Sequence, residues 1–569
     1  GWGFNMSITS ALISYAFWQG SSKLFGTRSW GLLENNINQT TASSAAAISS
    51  AGLVAPIPAL TMITGQTLSW PFLSLWVFSV ATVGVTVAIG LRRQMLVVDK
   101  LPFPSGIATA ETVKEMYAKG AEAIARVKVL ISMGVIAASL KILTMLFSIP
   151  RIGLPGSVST RPGGLLMEKG INSISMKNLT FALDPSLMMI GVGALVGFKG
   201  ALSMLVGAIL SWYVIAPRVM ELGWAAHGAI DPSVSWYKNT LHWLLWPGVA
   251  MMVTASLTSL AFSWRSMLSA ITGKNFNKNK KSEGSSDSDN TEIKEDEVPR
   301  KVFKIALVLV LTLSVTLQVI LFDISAITAV FGVFLTFFLA VVAARVSGET
   351  AVTPVGAMGK VTQLIFGVVD PGQPVSNLMA ANVTGGAASQ CADLLHDMKA
   401  GKLLGASPRL QCYAQFFGTI AGALAGSAAY LVLIPDPQNQ LLTDEWPAPA
   451  VATWKAVAEV FMTGFDAMPE GSVTAMIIAG VVGILMAILA KTAPGKYSFL
   501  ILSPSAMGLG FVIPAYNSIG MFIGGVTGLL LTRYCKTWSS RFLTVAAAGL
   551  IAGESLTGIL GAIASMLFQ

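Results

Sequence analysis

The chain is dominated by runs of about twenty apolar residues, the length an α-helix needs to cross the hydrocarbon core of a bilayer. Uninterrupted runs lie near residues 70–91, 127–149, 200–220, 246–262, 302–322, 326–344, 411–433, 472–490, 519–531 and 542–568. Six weaker segments, at 7–18, 41–63, 187–196, 355–369, 376–395 and 498–514, are interrupted by Gly, Pro, Ser or Asn. Together they predict an all-α polytopic membrane protein with about 14 to 17 membrane segments. Composition closes off the soluble alternative. Hydrophobic residues make up 53% of the 569 and charged residues 11%, against about 25% charged in an ordinary soluble domain. Because the sequence opens at Gly1 inside an already apolar segment, a preceding piece is expected.

Charge is concentrated rather than spread. The stretch Gly273–Lys304 contains KNFNKNKKSEGSSDSDNTEIKEDE, a polar run of mixed charge without apolar periodicity, which reads as a disordered linker. It divides the chain into an N-terminal half, 1–272, and a C-terminal half, 305–569. The formal net charge of +9 fits cytoplasmic loops rich in Lys and Arg, so no nucleic-acid partner is expected. By the same rule, 278–304, 399–409 and 533–541 are expected on the cytoplasmic side. The loop 435–447, which has no basic residue, is expected on the other. Cys391, Cys412 and Cys535 show no metal-ligand or paired spacing. The cysteines therefore indicate neither a disulfide framework nor a zinc site, and no cofactor is expected.

The interrupted segments carry the functional signal. A span gains nothing from Asn, Ser, Thr and Pro unless they face protein or water, and non-helical backbone at membrane depth survives only where it is buried or lines a cavity. Broken helices at corresponding places in two halves point to a transporter binding site. The halves echo each other weakly. Asn35–Thr40 followed by TASSAAAISSAG resembles Asn377–Asn382 followed by VTGGAASQCADL, and Pro104-Ser105 resembles Ser503-Pro504-Ser505. The candidate substrate-binding residues are therefore Asn36, Gln39, Pro104, Ser105, Thr109, Glu111, Asn382, Ser389, Ser503 and Ser505. Amides and hydroxyls can donate and accept in one site. A capped loop followed by tight helix packing is the competing reading for the Asn-rich segment, and a surface ion pair with Lys114 is that for Glu111.

Isolated carboxylates supply candidates for proton coupling, because an ionisable group at membrane depth is costly and so points to function. Glu554, inside the last apolar run, is the first candidate, and Glu349, in Ser347-Gly348-Glu349-Thr350, is the second. Asp393, His396 and Asp397 share one helical face by spacing. They could form a metal or proton site, or a solvated helix end salt-bridged to Lys399. Four-residue glycine steps at Gly418-Gly422-Gly426, Gly524-Gly528 and Gly549-Gly553 read as helix packing. No phosphate-binding loop, zinc-protease pair or nucleophile elbow is present, so the chain is not expected to be an enzyme and no catalytic residue is named. A passive channel, and an intramembrane enzyme using Asp393 and Asp397, are the alternatives to a secondary transporter.

The segments LLENNINQTTASSAAAISSAG, LPFPSGIATAE, SGETAVTPVGAMGKVTQLIFG, ADLLHDMKAGKLLGASPRLQ and YSFLILSPSAMGLGFVIP together resemble the oligopeptide transporter superfamily. That group includes the yellow-stripe-like metal-chelate transporters. The matches run in the family's order from about Leu33 to Gly561. The resemblance implies a secondary transporter of 14 to 16 helices that couples uptake to protons. Its implied substrates are short peptides or peptide-like, siderophore-type metal chelates, and its implied place is the plasma or inner membrane. The run around Asp393–Gln411 is close to the yellow-stripe-like pattern and is shared by bacterial members, so a prokaryotic member is expected. Assembly as a homodimer is left open. The chain departs from the family pattern at its start, where the family's first helix is expected to be missing from the sequence given.

Overall fold

The computed structural model describes residues 7–28, 30–49, 53–118, 120–147, 149–161, 165–262, 297–350, 353–464, 468–492 and 501–568. In the first part of the chain the helices are α1 (Ser7–Phe25), α2 (Leu32–Ile48), α3 (Pro56–Thr64), α4 (Trp70–Arg92), α5 (Pro104–Ala118), α6 (Gly120–Leu146), α7 (Leu165–Glu168), α8 (Leu187–Val196), α9 (Phe198–Ala208), α10 (Ala216–Glu221) and α11 (Tyr237–Phe262). They continue with α12 (Arg300–Phe322), α13 (Ala326–Thr350), α14 (Val355–Val369), α15 (Pro374–Leu404), α16 (Pro408–Leu433), α17 (Pro437–Gln440), α18 (Pro449–Thr463), α19 (Ser472–Thr492), α20 (Pro504–Val512), α21 (Ala515–Tyr534) and α22 (Lys536–Phe568). Two short antiparallel pairs, Ile152–Gly153 with Ala182–Leu183 and Ser157–Ser159 with Ser173–Ser175, are the strands among the described residues.

Nine helices among the described residues are long and apolar enough to cross a membrane. They coincide with the first nine uninterrupted apolar runs, and the tenth run lies in α22. Helix starts follow local chemistry. Pro opens α15, α16 and α20, where its missing N–H would have no helical partner anyway. Ser407 and Ser503 cap α16 and α20 by accepting from Leu410 N and Ala506 N, which offsets one orphan donor in each.

One expectation fails outright. The segment 376–395, read as an interrupted span, lies inside α15, a continuous 31-residue helix with 23 residues buried. Gly385, Gly386 and the polar residues do not break it, because neighbouring helices enclose it and its backbone stays satisfied. Of the linker, residues 263–296 lie outside the described residues. Its described end holds Glu297, paired with Arg92 at 2.9 Å, and the start of α12.

The described chain divides into two compact units, each drawing segments from both sides of the linker. The first comprises Gly1–Val127, Leu260–Pro435 and Val457–Met462. Within it α15 packs against α2, α4, α5, α13 and α14, and α16 packs against α2 and α4. The second comprises Lys128–Ser259, Asp436–Ala456 and Thr463–Gln569. There α8 packs against α21 and α22, and α9 against α20 and α21. The glycine steps are packing devices, as their spacing predicts. A Cβ at Gly524 would strike the Ile190 carbonyl, and one at Gly418 would strike that of Thr41.

Candidate functional site

Helix α2 is polar yet buried. Its first turn is fixed by Glu34, whose carboxylate accepts from the Gly31 N–H at 2.6 Å. Asn35, Asn36, Gln39, Thr40 and Ser44 are each 0% exposed. Ala and Ser on the same helix, with Gly418 and Gly422 opposite, let α16 approach closely. Side chains of α2 and α15 then meet along a polar seam. Gln39 Nε2 donates to Asp397 Oδ1. Ser43 Oγ donates to Asp393, at 2.9 and 3.1 Å from its two oxygens. Gln390 Nε2 donates to the Ser44 carbonyl at 3.2 Å. Helix α16 closes the seam through Gln411, whose Nε2 donates to Thr40 Oγ1 at 3.2 Å and to the Asp397 carbonyl at 2.8 Å.

The seam is not self-sufficient. Among the described residues neither Nδ2 nor Oδ1 of Asn36 has a hydrogen-bond partner, and the same holds for Gln39 Oε1. Asn36 and Gln39 are three residues apart and so neighbours on one helix surface. A buried polar atom left unpaired costs about 1–3 kcal/mol. The whole Asn36 amide and the carbonyl oxygen of Gln39 are thus left with hydrogen-bonding capacity that the described residues do not use.

Further along α15 the polar line continues. Trp76 Nε1 donates to Asn382 Oδ1 at 3.2 Å. Thr384 Oγ1 lies 2.8 Å from Thr336 and 3.0 Å from Thr362. Gln363 Nε2 donates to Asn377 Oδ1 at 3.1 Å, and Lys360 Nζ donates to Gln363 Oε1 at 3.3 Å. Lys360, 4% exposed on the apolar helix α14, is the residue sequence reasoning missed. A lone cation inside GAMGKVTQLIFG is the signal that could have found it.

Asp393, His396 and Asp397 do not assemble into one site. The two carboxylates reach α2. His396 Nε2 instead lies 3.0 Å from Ser347 Oγ of α13, and its ring stands edge-on to Phe103. No cluster of three or more His, Cys, Asp or Glu fit to hold a metal occurs among the described residues. The salt-bridged helix end is also corrected, because His396 is 4% exposed. Lys399 and Lys402 donate to the carbonyls of Leu101 and Leu96 at 3.0 and 3.1 Å.

The segment Pro104–Glu111 forms the start of α5. Phe103, at φ 44°, turns the chain and donates its N–H to the Gly348 carbonyl at 2.9 Å. A Cβ at Gly106 would collide with the His396 carbonyl, so glycine is what lets α5 lie on α15. Pro104 and Ser105 are half-buried, and Thr109 is buried with its hydroxyl bonded to the Ser105 carbonyl at 3.0 Å. Glu111 is exposed, which places its carboxyl at the surface of α5 rather than in the seam. Ser389 is half-buried on α15.

Ser503, Ser505 and Glu554 belong to the second unit. Ser503 is the cap of α20, and its N–H donates to Ser203 Oγ at 2.8 Å. Ser505 is half-buried in the first turn. Glu554, 7% exposed, accepts from Ser186 Oγ at 2.8 Å and from Met188 N at 2.7 Å. Both donors are at the N-terminus of α8, the end where a helix favours a carboxylate. Close crossing of α22 over α6 at Gly549 and Gly553 holds it there. The side chain of Glu349 lies outside the described residues.

Membrane-length helices enclosing a buried line of amides, hydroxyls and carboxylates define a multi-pass membrane protein with a polar interior. The family model of the OPT oligopeptide transporter proteins matches residues 1–565, so the chain belongs to the oligopeptide transporter family and is a transporter rather than an enzyme. It is 24% identical to a Saccharomyces cerevisiae protein named as an oligopeptide transporter, over 100% of this chain and 92% of that one. A Haemophilus influenzae protein of the same name is 26% identical, over 98% and 90%. A rice (Oryza sativa subsp. japonica) protein named as a metal-nicotianamine transporter, YSL14, is 25% identical, over 84% and 68%.

Proposed function

We propose that the chain is a secondary transporter that takes up short oligopeptides or peptide-like metal chelates together with protons across the plasma or inner membrane. The observation that carries this reading is the unpaired Asn36 amide and the unpaired Gln39 carbonyl oxygen, on the helix whose Gln39 and Ser43 bond the carboxylates of Asp397 and Asp393. A peptide and a chelate of the nicotianamine kind both present carboxylates, amines and amide-like groups. Amides that can donate and accept suit either. Relatives named for both substrates support the same range.

Coupling needs a membrane-embedded group that gains and loses a proton. The seam carboxylates Asp393 and Asp397 lie beside the proposed substrate groups and are the coupling candidates we favour. Glu554 is engaged in holding the start of α8. The test is uptake into proteoliposomes of labelled tripeptide and of a ferric chelate, with and without an inward proton gradient. Gradient-dependent accumulation of one of them is expected. Accumulation that survives collapse of the gradient removes the coupling, and exclusion of both substrates removes the reading.

A further inference from the structure

In the second unit, outside the seam, a cleft of about 280 Å³ opens beside the start of α11. Two indoles, Trp224 and Trp243, line it, stacked with ring planes 16° apart and centroids 6.4 Å apart. Trp243 is buried and fixed by its Nε1, which donates to the Glu470 carbonyl at 2.9 Å. Gly471, at φ +72°, leaves room for Trp224, since a Cβ there would strike the indole. Lys238, Asn239 and His242 line the same cleft. His242 lies four residues from Lys238 and three from Asn239 along α11, so its ring neighbours both on the helix surface. All three are exposed.

The lining thus combines an apolar indole pair with polar side chains rich in N–H donors. Amines, amides and imidazoles in convergent positions recognise a carboxylate, while an indole face accepts an apolar body. A volume near the lower end of small-molecule sites, about 300 Å³, suits a small ligand or the terminus of a longer one. We propose that this cleft binds a carboxylate borne on a small apolar body, with Lys238, Asn239 and His242 taking the carboxylate and the Trp224–Trp243 indole pair taking the body. It shares no residue with the seam and does not need the transport reading to hold.

The test reads Lys238 directly. The purified full chain in lipid nanodiscs is treated with an amine-acetylating reagent, and modification of Lys238 is followed by mass spectrometry against the exposed Lys169. The probe is N-acetyl-trialanine at millimolar concentration, compared with its C-terminal amide. The acid should slow acetylation of Lys238 at least threefold relative to Lys169, and the amide should not. Exposed charge pairs are individually weak, so His242→Gln should reduce the protection by about half rather than abolish it. Trp224→Ala, which removes one of the two indoles, should abolish it. Equal protection by acid and amide, or none by either, overturns the proposal. The seam substitution Gln39→Leu should leave Lys238 protection unchanged even if it stops transport. Failure of the transport reading and failure of this one therefore give different results.

Discussion

Gln39 on α2 donates its side-chain amide to the carboxylate of Asp397 on α15, joining residues 358 positions apart in the sequence. The bond ties two buried polar helices from opposite sides of the charged linker. Gln39→Leu keeps the volume and removes the donor. A buried acceptor that loses a donor costs about 1–3 kcal/mol, so thermal unfolding in detergent should begin several degrees lower. Substrate uptake should fall at least tenfold, because the amide pair with Asn36 is lost. Wild-type uptake in a folded Gln39→Leu protein would show that the seam is packing alone.

Gly106 sits where α5 meets the His396 carbonyl of α15. Adding one methyl group there should cost about 1–3 kcal/mol, as overpacking of a close helix crossing does. Gly20→Ala on α1 is the control, since nothing lies near its Cβ position and alanine favours the helix. The two variants should shift the unfolding midpoint in opposite directions. A Gly106→Ala midpoint equal to wild type would mean that α5 can stand off α15 without loss.

Asp444 lies in the loop between α17 and α18. Burial holds its carboxyl above the usual carboxylate range, against the Ser235 hydrogen bond and the Arg151 charge, which pull it down. The folded state therefore binds this proton more tightly than the unfolded state. Its stabilising contribution is full below the unfolded carboxylate value, about pH 3.9, and is lost as pH rises through the raised folded value. Asp444→Asn cannot ionise. It should raise the unfolding midpoint at pH 7 and lose that advantage near pH 3.5. An advantage equal at both values, or a loss at pH 7, would contradict this account.

The membrane spans were legible because lipid imposes a single requirement, an apolar helix of fixed length. The seam was only half legible, because protein-enclosed helices answer to their neighbours instead. Helix α15 looked broken for this reason, with Asn382, Gly385 and Ser389 inside an unbroken, enclosed helix. Asn36 and Gln39 were visible as residues, since a run of amides in an apolar chain is unusual. Asp397, which accepts from Gln39, and Gln411, which donates to Thr40, could not be matched to α2, because nothing local records which helices meet. Glu554 stood out for its isolation, but isolation in sequence hid the N-terminus of α8 that receives it.

That geometry separates Glu554 from Asp393 experimentally. Glu554 accepts from two donors at the start of α8, and Glu554→Gln keeps one acceptor while turning a donor toward the other. Loss of a helix-end cap costs about 1 kcal/mol, so the protein should unfold slightly earlier yet accumulate substrate under a proton gradient as before. Asp393 accepts from the Ser43 hydroxyl within the seam, where a bound substrate would sense its protonation state. Asp393→Asn imitates the permanently protonated form. The expected result is a folded protein that exchanges substrate across the bilayer but no longer concentrates it, since substrate and proton affinities are linked only while the proton can leave. Gradient-driven accumulation by Asp393→Asn, together with its loss in Glu554→Gln, would move the coupling group to the second unit and make the seam carboxylates structural.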